Sequence, residues 1–359
     1  MRITFIQDPL PSDPVESTAA GRTRGTPTMS PGDARKTAFL TGATGFVGSN
    51  LARELLAAGW RVLALQRAGS PAGKLEGQAV EPVPGDITDA ASLQAGMPRD
   101  LDAVFHVAGS INMWSRGNAE QTRINVGGTA NMVDAALAKG ARAFVHTSTV
   151  SAYGRHPVPI SEATVSNAGS SWINYEKSKW LAEEEVRRGA RQGLRTVIIN
   201  PCAIFGPGDT HGWAQFFFLL KDGKVKGIPP GRLTFNEVGE VARAHIAAVD
   251  RGRAGENYVL GGYETSFEEM LQTMAGLLGV ELKAKVMPAP VLRLVGRINS
   301  MVAAVTGRPP EISHEMATMI SLSMICASDR AERELGYRKV PLRQCLGDSL
   351  AWLREQKLI

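Results

Sequence analysis

The chain has 359 residues; 43% of them are hydrophobic, and 40 lysines and arginines against 35 aspartates and glutamates give a net charge of +5. This hydrophobic content is sufficient for a large core and excludes a mainly disordered protein. No uninterrupted apolar run approaches the roughly 20 residues that a membrane span needs. The small basic excess is spread along the sequence. That is not the pattern of a nucleic-acid-binding protein, and it favours a small-molecule partner.

The first 35 residues contain five prolines and little apolar periodicity, and they predict a disordered leader. Met29 lies just before the first regular segment, and we hypothesise that translation starts there rather than at Met1. The rest of the chain is expected to form a first domain over residues 36–206 and a smaller, mostly helical lobe over residues 207–359. Part of this lobe is expected to return to the first domain.

The three cysteines, Cys202, Cys326 and Cys345, are too few and too scattered to form a disulfide framework or a zinc cluster. We therefore expect a protein of a reducing compartment, the cytoplasm. No spacing of histidines, cysteines and acids suggests a metal site. Cys202 is expected to be a small buried residue.

Strands and helices alternate from residue 37 onward. This alternation predicts an α/β fold, a doubly wound parallel sheet of the Rossmann type with helices on both faces. The lobe after Pro207 is predicted to lie on the substrate side of this sheet. The predicted strands cover residues 37–40, 61–66, 80–84, 103–107, 142–147 and 195–200, and the predicted helices cover residues 46–58, 118–139 and 174–192.

The turn between the first strand and the first helix has the sequence Thr41-Gly42-Ala43-Thr44-Gly45-Phe46-Val47-Gly48. The helix N-terminus offers free backbone N–H groups and a positive dipole end, both of which suit a pyrophosphate. Gly42 permits a tight turn, Gly45 lets the phosphate approach, and Gly48 lets the helix pack against the strand. The strand–turn–helix context therefore predicts a dinucleotide site.

The end of the second strand indicates which dinucleotide binds. An acid at this point would select NAD, whereas an arginine favours the 2′-phosphate of NADP. The sequence here is Leu65-Gln66-Arg67-Ala68, without an acid, and Arg67 can make a forked contact to phosphate. We predict NADP, with NAD as the alternative.

Tyr175 and Lys179 stand at i and i+4 of a predicted helix and share one face. A nearby ammonium stabilises phenolate, so such a tyrosine can donate a proton to a carbonyl or accept one from an alcohol. Alone, this pair is more often a solvated helix face. A run of hydroxyls, Thr147-Ser148-Thr149, follows the strand over residues 142–147 at the sheet edge where ligands bind.

Together with Asn200-Pro201 and Gly206-Pro207-Gly208-Asp209, these motifs resemble an extended short-chain dehydrogenase/reductase. This group belongs to the NAD-dependent epimerase/dehydratase superfamily, and the resemblance is closest to the branch of dihydroflavonol reductases and 3β-hydroxysteroid dehydrogenases. It covers residues 36–353, with specific motifs in the first two thirds. It implies a homodimer that pairs through the helices over residues 118–139 and 174–192.

The resemblance also implies site residues. Tyr175 would be the proton donor, Lys179 its partner, Asn125 a supporting residue, and either Thr149 or Ser148 the catalytic hydroxyl. Thr149 takes the position where the family usually has serine. The full set of expected cofactor-binding residues is Gly42, Thr44, Gly45, Phe46, Val47, Gly48, Arg67, Asp86, Ile87, Val107, Ala108, Gly109, Thr147, Tyr175, Lys179, Pro201 and Ile204.

Aromatic residues near these motifs predict an apolar substrate pocket. Most methionines of the lobe are expected to be core residues or subunit contacts. Residues 286–305 predict an amphipathic helix that closes the pocket, with a helix lying on a membrane surface as the alternative. The expected substrate-side residues are Asn112, Trp114, Thr149, Trp172, Asn200, His211 and Trp213.

Two enzymatic functions remain open. The first is NADP-dependent reduction of an apolar ketone or aldehyde, or the reverse oxidation of an alcohol. The second is epimerisation or dehydration of a sugar nucleotide with a retained cofactor. Gln66, Arg67 and the tryptophans weigh against the second, as does Arg232, which stands one position away from the place where such relatives have it. A third, non-enzymatic function, a cofactor-sensing regulator, is disfavoured by the Tyr175/Lys179 pair.

Overall fold

The computed structural model describes residues 35–70 and 73–359. Nearly all of the predicted leader, including Met29, lies outside the described residues. The helices of the described chain are α1 (Phe46–Ala57), α2 (Ala90–Gly96), α3 (Asn118–Thr122), α4 (Gly128–Ala138), α5 (Asn174–Arg191), α6 (Gln215–Lys221), α7 (Val238–Arg251), α8 (Phe267–Leu278), α9 (Ala289–Thr306), α10 (His314–Ile320), α11 (Asp329–Leu335) and α12 (Leu342–Glu355).

Seven parallel strands form the main sheet, in the order β3-β2-β1-β4-β5-β6-β9. This confirms the predicted doubly wound sheet, and the predicted strands match the observed ones within two residues at each end. The strands are β1 (Thr37–Thr41), β2 (Arg61–Gln66), β3 (Val80–Pro84), β4 (Ala103–His106), β5 (Phe144–Thr147), β6 (Thr196–Pro201) and β9 (Asn257–Leu260).

The central strands are buried on both faces, as expected for a sheet covered by helices on each side. In β1, Ala38 and Leu40 pack into one core cluster, whereas Phe39 between them packs into another. The same alternation occurs in β4, where Phe105 and Val104 face opposite sides. Each strand therefore contributes to two cores, and this requires continuous apolar sequence.

The second lobe has its own small sheet, in the order β10-β8-β7, formed by β7 (Ala203–Phe205), β8 (Arg232–Glu237) and β10 (Tyr263–Ser266). Helices α6, α8, α10 and α12 pack against it around a separate apolar cluster. The chain returns to the main sheet twice, because β9 pairs with β6 and residues of α7 and α11 join the core on one face of that sheet. The lobe is thus largely helical, as predicted, but contains strands that the sequence pattern did not reveal.

Two features of this fold position the site. The carboxyl ends of β1, β4, β5 and β6 lie along one edge of the sheet, which is where open α/β sheets bind ligands. Strand β7 begins two residues after β6 ends, and it carries the chain directly into the lobe. A cleft between the sheet edge and the lobe follows from this connection. No helix of the described chain combines the length and apolar content that crossing a membrane requires.

Candidate active site

The glycine turn has the geometry that the sequence predicted. Gly42 has a φ of +72°, and a Cβ there would lie 2.7 Å from the backbone nitrogen of Ala108 at the end of β4. A Cβ on Gly48 would lie 2.1 Å from the carbonyl oxygen of Gly42. Side chains are thus excluded at both positions, Gly42 by conformation and contact and Gly48 by contact with the turn itself.

The N-terminus of α1 fits a pyrophosphate. Helix α1 begins at Phe46 after Gly45, no side chain caps it, and its first turn has no acidic residue. The N–H groups of this turn are therefore available to an anion, and the helix dipole favours negative charge. The amide of Asn50 in α1 donates to the carbonyl oxygen of Pro207, at 2.8 Å, which ties the loop after β7 to this helix.

The adjacent strand ends fit the adenosine half of a dinucleotide. Arg67 follows β2 and is exposed. Asp86 follows β3, and its carboxylate accepts bonds at 2.8 Å from the backbone and the hydroxyl of Thr88. Ile87 is buried, and its carbonyl oxygen accepts from Asn131 in α4. Strand β2 is therefore followed by a cation, Arg67. The acid in this region, Asp86, follows the neighbouring strand β3.

The remaining predicted cofactor residues lie at the same sheet edge. Val107, Ala108 and Gly109 follow β4, and Thr147 and Pro201 end β5 and β6. Ile204 is in β7, beside that edge. The structure thus brings the predicted set together around one cleft, and the bare turn and free helix N-terminus make it suitable for a nicotinamide dinucleotide.

Lys179 is a buried lysine at the carboxyl end of β5. Its side chain is buried on α5, one turn after Tyr175, and Nζ donates to the carbonyl oxygen of Thr147 at 2.8 Å. Burial lowers its pKa to about 8, and the charge of Glu183 opposes this shift. Lys179 therefore changes protonation state close to physiological pH.

Three buried histidines lie in this part of the molecule, and none of them is positively charged. Burial lowers the pKa of His106 to about 3 and that of His245 to about 4, and it lowers the pKa of His146 well below its usual value. All three imidazoles are therefore neutral at working pH. His245 fixes Thr147, the residue whose carbonyl holds Lys179, through a 2.8 Å contact with the threonine hydroxyl.

Tyr175 and Thr149 meet at the cavity. Both residues line it, and the side chain of Thr149 counters the effect of burial, which raises the pKa of Tyr175. Thr149 Oγ1 also accepts the backbone N–H of Ser151 at 3.2 Å, which fixes the position of its oxygen. Two hydroxyl residues thus share the wall of one cavity, where a carbonyl oxygen could accept hydrogen bonds and a proton.

Ser148 lies in a different environment. Its hydroxyl donates to Glu183 at 2.5 Å, and both residues are buried. Glu183 also accepts from the amides of Asn200 and Asn257 and from Arg187. The Ser148 side chain is therefore part of an internal polar network, whereas the Thr149 side chain faces the cavity.

Asn125 supports the site from a distance. It lies in a π-helical segment, Arg123–Gly127, that interrupts the predicted helix over residues 118–139. Its side chain contacts the backbone of Ser110 on both sides and donates to the hydroxyl of Ser178 in α5. It connects the loop after β4 with the helix of Tyr175, and π segments are frequent at functional sites.

A cavity of about 160 Å³ opens in front of Tyr175 and Thr149. Its wall is mostly apolar and comes from both the sheet edge and the lobe. Four methionines belong to this wall. Three of them, Met316, Met319 and Met324, are lobe residues of the group that we expected to be mostly core or subunit contacts. The lining residues are Ile111, Met113, Thr149, Val150, Ser151, Tyr175, Cys202, Ala203, Trp213, Leu233, Met316, Met319, Ile320 and Met324.

The structure changes part of the predicted substrate set. Trp213 lines the cavity, but Trp114 and Trp172 are not among its lining residues. Trp172 is 50% exposed and stacks on His314, with ring centroids 4.7 Å apart. The ring of Trp114 lies beneath the guanidinium of Arg116. Because the chain is extended here, Ile111 and Met113 reach the cavity in place of their neighbours.

The other three polar candidates for substrate contact, Asn112, Asn200 and His211, also lie outside the cavity wall. Asn112 closes its own loop by donating to the carbonyl oxygen of Trp114 at 2.6 Å. Asn200 is buried, and it donates to the carbonyl oxygen of Thr149 at 3.0 Å, so it fixes the backbone of Thr149 from the side away from the cavity. The exposed His211 contacts the hydroxyl of Thr210.

Two residues of the site were missed by the sequence analysis. Glu183 organises the network behind Ser148 and Asn200, and its position four residues after Lys179, on the same helix face, was the available signal. Cys202 was expected to be merely buried, but it also lines the cavity. Its thiol donates to the carbonyl oxygen of Met324 at 3.7 Å, and the neighbouring thiol of Cys326 lowers the pKa of Cys202 to about 7.

Comparison with known proteins gives one family. The model of the NAD dependent epimerase/dehydratase family matches residues 38–261. "Sterol demethylase protein B" of Methylococcus capsulatus is 30% identical over 335 residues, which are 90% of this chain and 100% of that protein. "Putative dihydroflavonol 4-reductase" of Synechocystis sp. is 30% identical over 326 residues, or 88% and 94% of the two chains.

Among solved structures, that of gox2253 is similar, with a TM-score of 0.77 and 30% identity over 90% of this chain and 99% of the other. The family match includes the strands of the main sheet and the glycine turn. The matches to the two relatives also include most of the lobe. The chain belongs to the NAD dependent epimerase/dehydratase family and is an NAD(P)-dependent dehydrogenase/reductase of the extended short-chain type.

Proposed function

We propose that this enzyme is an NADP-dependent reductase of an apolar ketone or aldehyde, or, in the reverse direction, that it oxidises the corresponding alcohol. The observation that carries the proposal is the cavity in front of Tyr175, in which the hydroxyl residues Tyr175 and Thr149 share a wall with methionine, isoleucine, leucine and tryptophan side chains. Such a wall binds an apolar molecule and directs its one polar group to the hydroxyls.

Tyr175 is the proton donor in the proposed reaction. The substrate oxygen accepts hydrogen bonds from Tyr175 and Thr149, and negative charge that develops on this oxygen is neutralised by the Tyr175 proton. Lys179 lies one turn away and stabilises the phenolate that remains. Asn200 and Ser148 keep the backbone of Thr149 and the buried carboxylate of Glu183 in place.

The glycine turn, the end of β4 and Lys179 would hold the nicotinamide dinucleotide. When bound, this cofactor supplies the hydride that reduces the carbonyl carbon. We propose NADP because Arg67 is exposed at the end of β2, at the place where an acid would bind the ribose of NAD. A guanidinium fits a 2′-phosphate by charge and by its forked donors.

The alternative substrate, a sugar nucleotide, suits this cavity less well. Such a molecule carries many hydroxyls and a diphosphate, and each buried polar group needs a partner. Only a few polar side chains line the cavity, chiefly Thr149, Ser151 and Tyr175. Arg232, the nearest candidate for a diphosphate, is exposed and paired with Glu264 at 2.8 Å, whereas its neighbour Leu233 faces the cavity.

The deciding experiment follows nicotinamide absorbance with the purified protein. NADPH or NADH is mixed with a panel of apolar ketones, apolar aldehydes and UDP-sugars, beside a Tyr175→Phe variant. We expect NADPH to be consumed with an apolar carbonyl compound, and the variant to lose about 10²–10⁴-fold in turnover while it still binds NADPH. Conversion of a UDP-sugar to its isomer without net loss of NADPH would assign the epimerase function instead.

We further propose a cytoplasmic homodimer. The three cysteines are free thiols in the structure, in keeping with a reducing compartment. Helices α4 and α5 pack against each other on one face of the main sheet, in the positions where the extended short-chain resemblance implies a four-helix subunit interface. Light scattering that gives the mass of a monomer would contradict the dimer.

A further inference from the structure

Helix α9 has two apolar faces, and only one of them is covered by the protein. Leu292, Gly296 and Ala303 are buried against α10. A Cβ on Gly296 would lie 2.6 Å from the Cβ of Ala317, so the two helices are in close contact along this narrow line. The helix therefore lies on the surface of the lobe, and its other face has no covering in the described chain.

The uncovered face is apolar over the whole length of the helix. At about 100° per residue, its side chains occupy an arc of about 120°, whose centre lies about 140° around the helix from the buried line. No charged residue falls within this arc. Its members are 37% to 89% exposed, and they are Val291, Leu294, Val295, Ile298, Met301, Val302 and Val305. A continuous exposed apolar stripe of this kind marks an interaction surface.

The charged side chains of α9 itself, Arg293 and Arg297, are both cationic. The flanking residues add Lys283, Lys285 and Arg308, of which Lys283 is paired with Glu281 at 3.7 Å, and the next acid after the helix is Glu311. Arg297 borders the apolar arc, and its guanidinium also donates to His314 at the start of α10. An apolar stripe edged by cations is complementary to a surface that has an apolar interior and anionic groups above it.

We propose that α9 binds the surface of an anionic lipid bilayer, lying in the plane of the headgroups with its apolar face inserted. A second copy of the chain fits the face less well. A stable dimer interface uses about 20–30 residues per subunit, more than a single helix face supplies. An α9–α9 contact would also bring the arginines of two copies together without acids between them.

The exposed face of α9 lies close to the proposed catalytic cavity. The same helix α10 that seats α9 on one side lines the catalytic cavity on the other, through Met316, Met319 and Ile320. Trp172 stacks on His314 at the start of α10 and is half exposed, and tryptophan is the residue typical of the membrane interface. The cavity wall is thus one helix away from the proposed lipid contact.

Vesicle flotation tests this proposal without reference to catalysis. The purified full chain is mixed with vesicles of phosphatidylcholine alone or of phosphatidylcholine with 30% phosphatidylglycerol. We expect the protein to float with the anionic vesicles, and less of it to float as salt screens the arginines. An Ile298→Glu/Val302→Glu variant should lose about tenfold or more of the bound fraction.

The matched control is Val158→Glu/Val165→Glu, which adds the same two negative charges at exposed valines outside α9. It should float as the unaltered protein does. Circular dichroism should show that all variants are folded, because the replaced side chains are exposed. The proposal is overturned if the unaltered protein does not float, or if the control loses binding equally. It is also overturned if light scattering shows that the α9 variant splits a dimer, since the face is then a subunit interface.

Discussion

Ser148 and Thr149 carry the same functional group and differ in what surrounds it. Ser148 donates to a buried carboxylate, and Thr149 lines the cavity beside Tyr175. The sequence left the choice between them open because neighbouring residues of an extended segment point to opposite sides, and the pattern alone does not indicate which side faces the substrate. We propose Thr149 as the catalytic hydroxyl.

Replacing Thr149 by valine should separate the two residues, because valine has a similar shape and lacks the hydroxyl. We expect turnover to fall about 10²–10³-fold with little change in NADPH binding, and Thr149→Ser to retain most of the activity. Ser148→Ala should instead lower the melting temperature, since it removes a partner of buried Glu183. Turnover and thermal unfolding of the three variants are the measurements. A Ser148→Ala protein that is stable but inactive would reverse the assignment.

The pKa of Lys179 predicts how the reduction depends on pH. With a pKa of about 8, its ammonium is present below that pH and is lost above it. Because the ammonium stabilises the Tyr175 phenolate formed in the reduction, the turnover number should fall as the pH rises through about 8. It is measured from pH 6 to 10 at saturating NADPH, and a flat profile would contradict the role of Lys179.

The same shift has the opposite effect on stability, which provides the control. The folded pKa lies below the ordinary value of 10.5, so the unfolded chain binds more protons between about pH 8 and 10.5. The contribution of Lys179 to the free energy of unfolding therefore increases through this window. Loss of activity there, with the protein still folded by circular dichroism, reports on the reaction and not on unfolding.

At the scale of elements, the first half of the fold and the helical character of the lobe were predictable, whereas the short strands of the lobe were not. Strands such as β6 are buried on both faces and are therefore continuous apolar runs, and helices such as α5 repeat with the helical period. Strands β7 and β10 have three and four residues, too few for a periodic signal. The π segment around Asn125 has no pattern of its own in the sequence.

The site could be predicted to the extent that it depends on these regular elements. Tyr175 and Lys179 follow from helical spacing, and the glycine turn from its place between β1 and α1. The positions of Trp114 and Trp172 depend on how loops pack, and in the folded chain neither residue lines the cavity. The methionines of α10 reach the cavity because β7 brings the lobe back over the sheet edge, which is a property of the tertiary fold.

The turn between β1 and α1 gives a prediction at this scale. Gly48→Ala places a methyl group 2.1 Å from the carbonyl oxygen of Gly42, and both partners are backbone or rigid helix, so the turn must move. We expect the affinity for NADPH to fall at least about tenfold, with a lower melting temperature. Gly276→Ala in α8 is the matched control, because no atom lies within 4 Å of the added methyl group. It should be neutral or slightly stabilising, since alanine favours helix more than glycine does.

Calorimetry of NADPH binding, together with the melting temperature, checks this pair. If Gly48→Ala binds NADPH as the unaltered protein does, the close approach of α1 and its turn is not required for the site. If Gly276→Ala impairs binding as much as Gly48→Ala, the effect arises from general destabilisation, and the turn has no special role.

At the scale of the whole molecule, the cleft joins segments that are far apart in sequence. Asn50 in α1 holds Pro207 after β7, and Tyr175 in α5 shares a cavity with Met316 in α10. A ligand in this cleft contacts both lobes and is bound by the folded chain alone. Ligand binding must therefore stabilise the whole protein against unfolding, by an amount that reports the affinity for each cofactor.

This linkage provides the test of NADP preference. At 100 times its dissociation constant, a ligand stabilises the folded state by about 2.7 kcal/mol, so at equal concentration the preferred cofactor gives the larger rise in melting temperature. We expect NADPH to raise the melting temperature of the unaltered protein more than NADH does. In Arg67→Ala, the rise with NADPH should fall to that with NADH, and the rise with NADH should not change.

Arg61→Ala is the matched control, because it removes an exposed arginine from the opposite end of the same strand β2. It breaks the ion pair with Glu81, which lowers the melting temperature slightly, and it should leave the difference between the cofactors intact. If Arg67→Ala leaves that difference intact as well, the 2′-phosphate is bound elsewhere, and the exposed end of β2 does not select the cofactor.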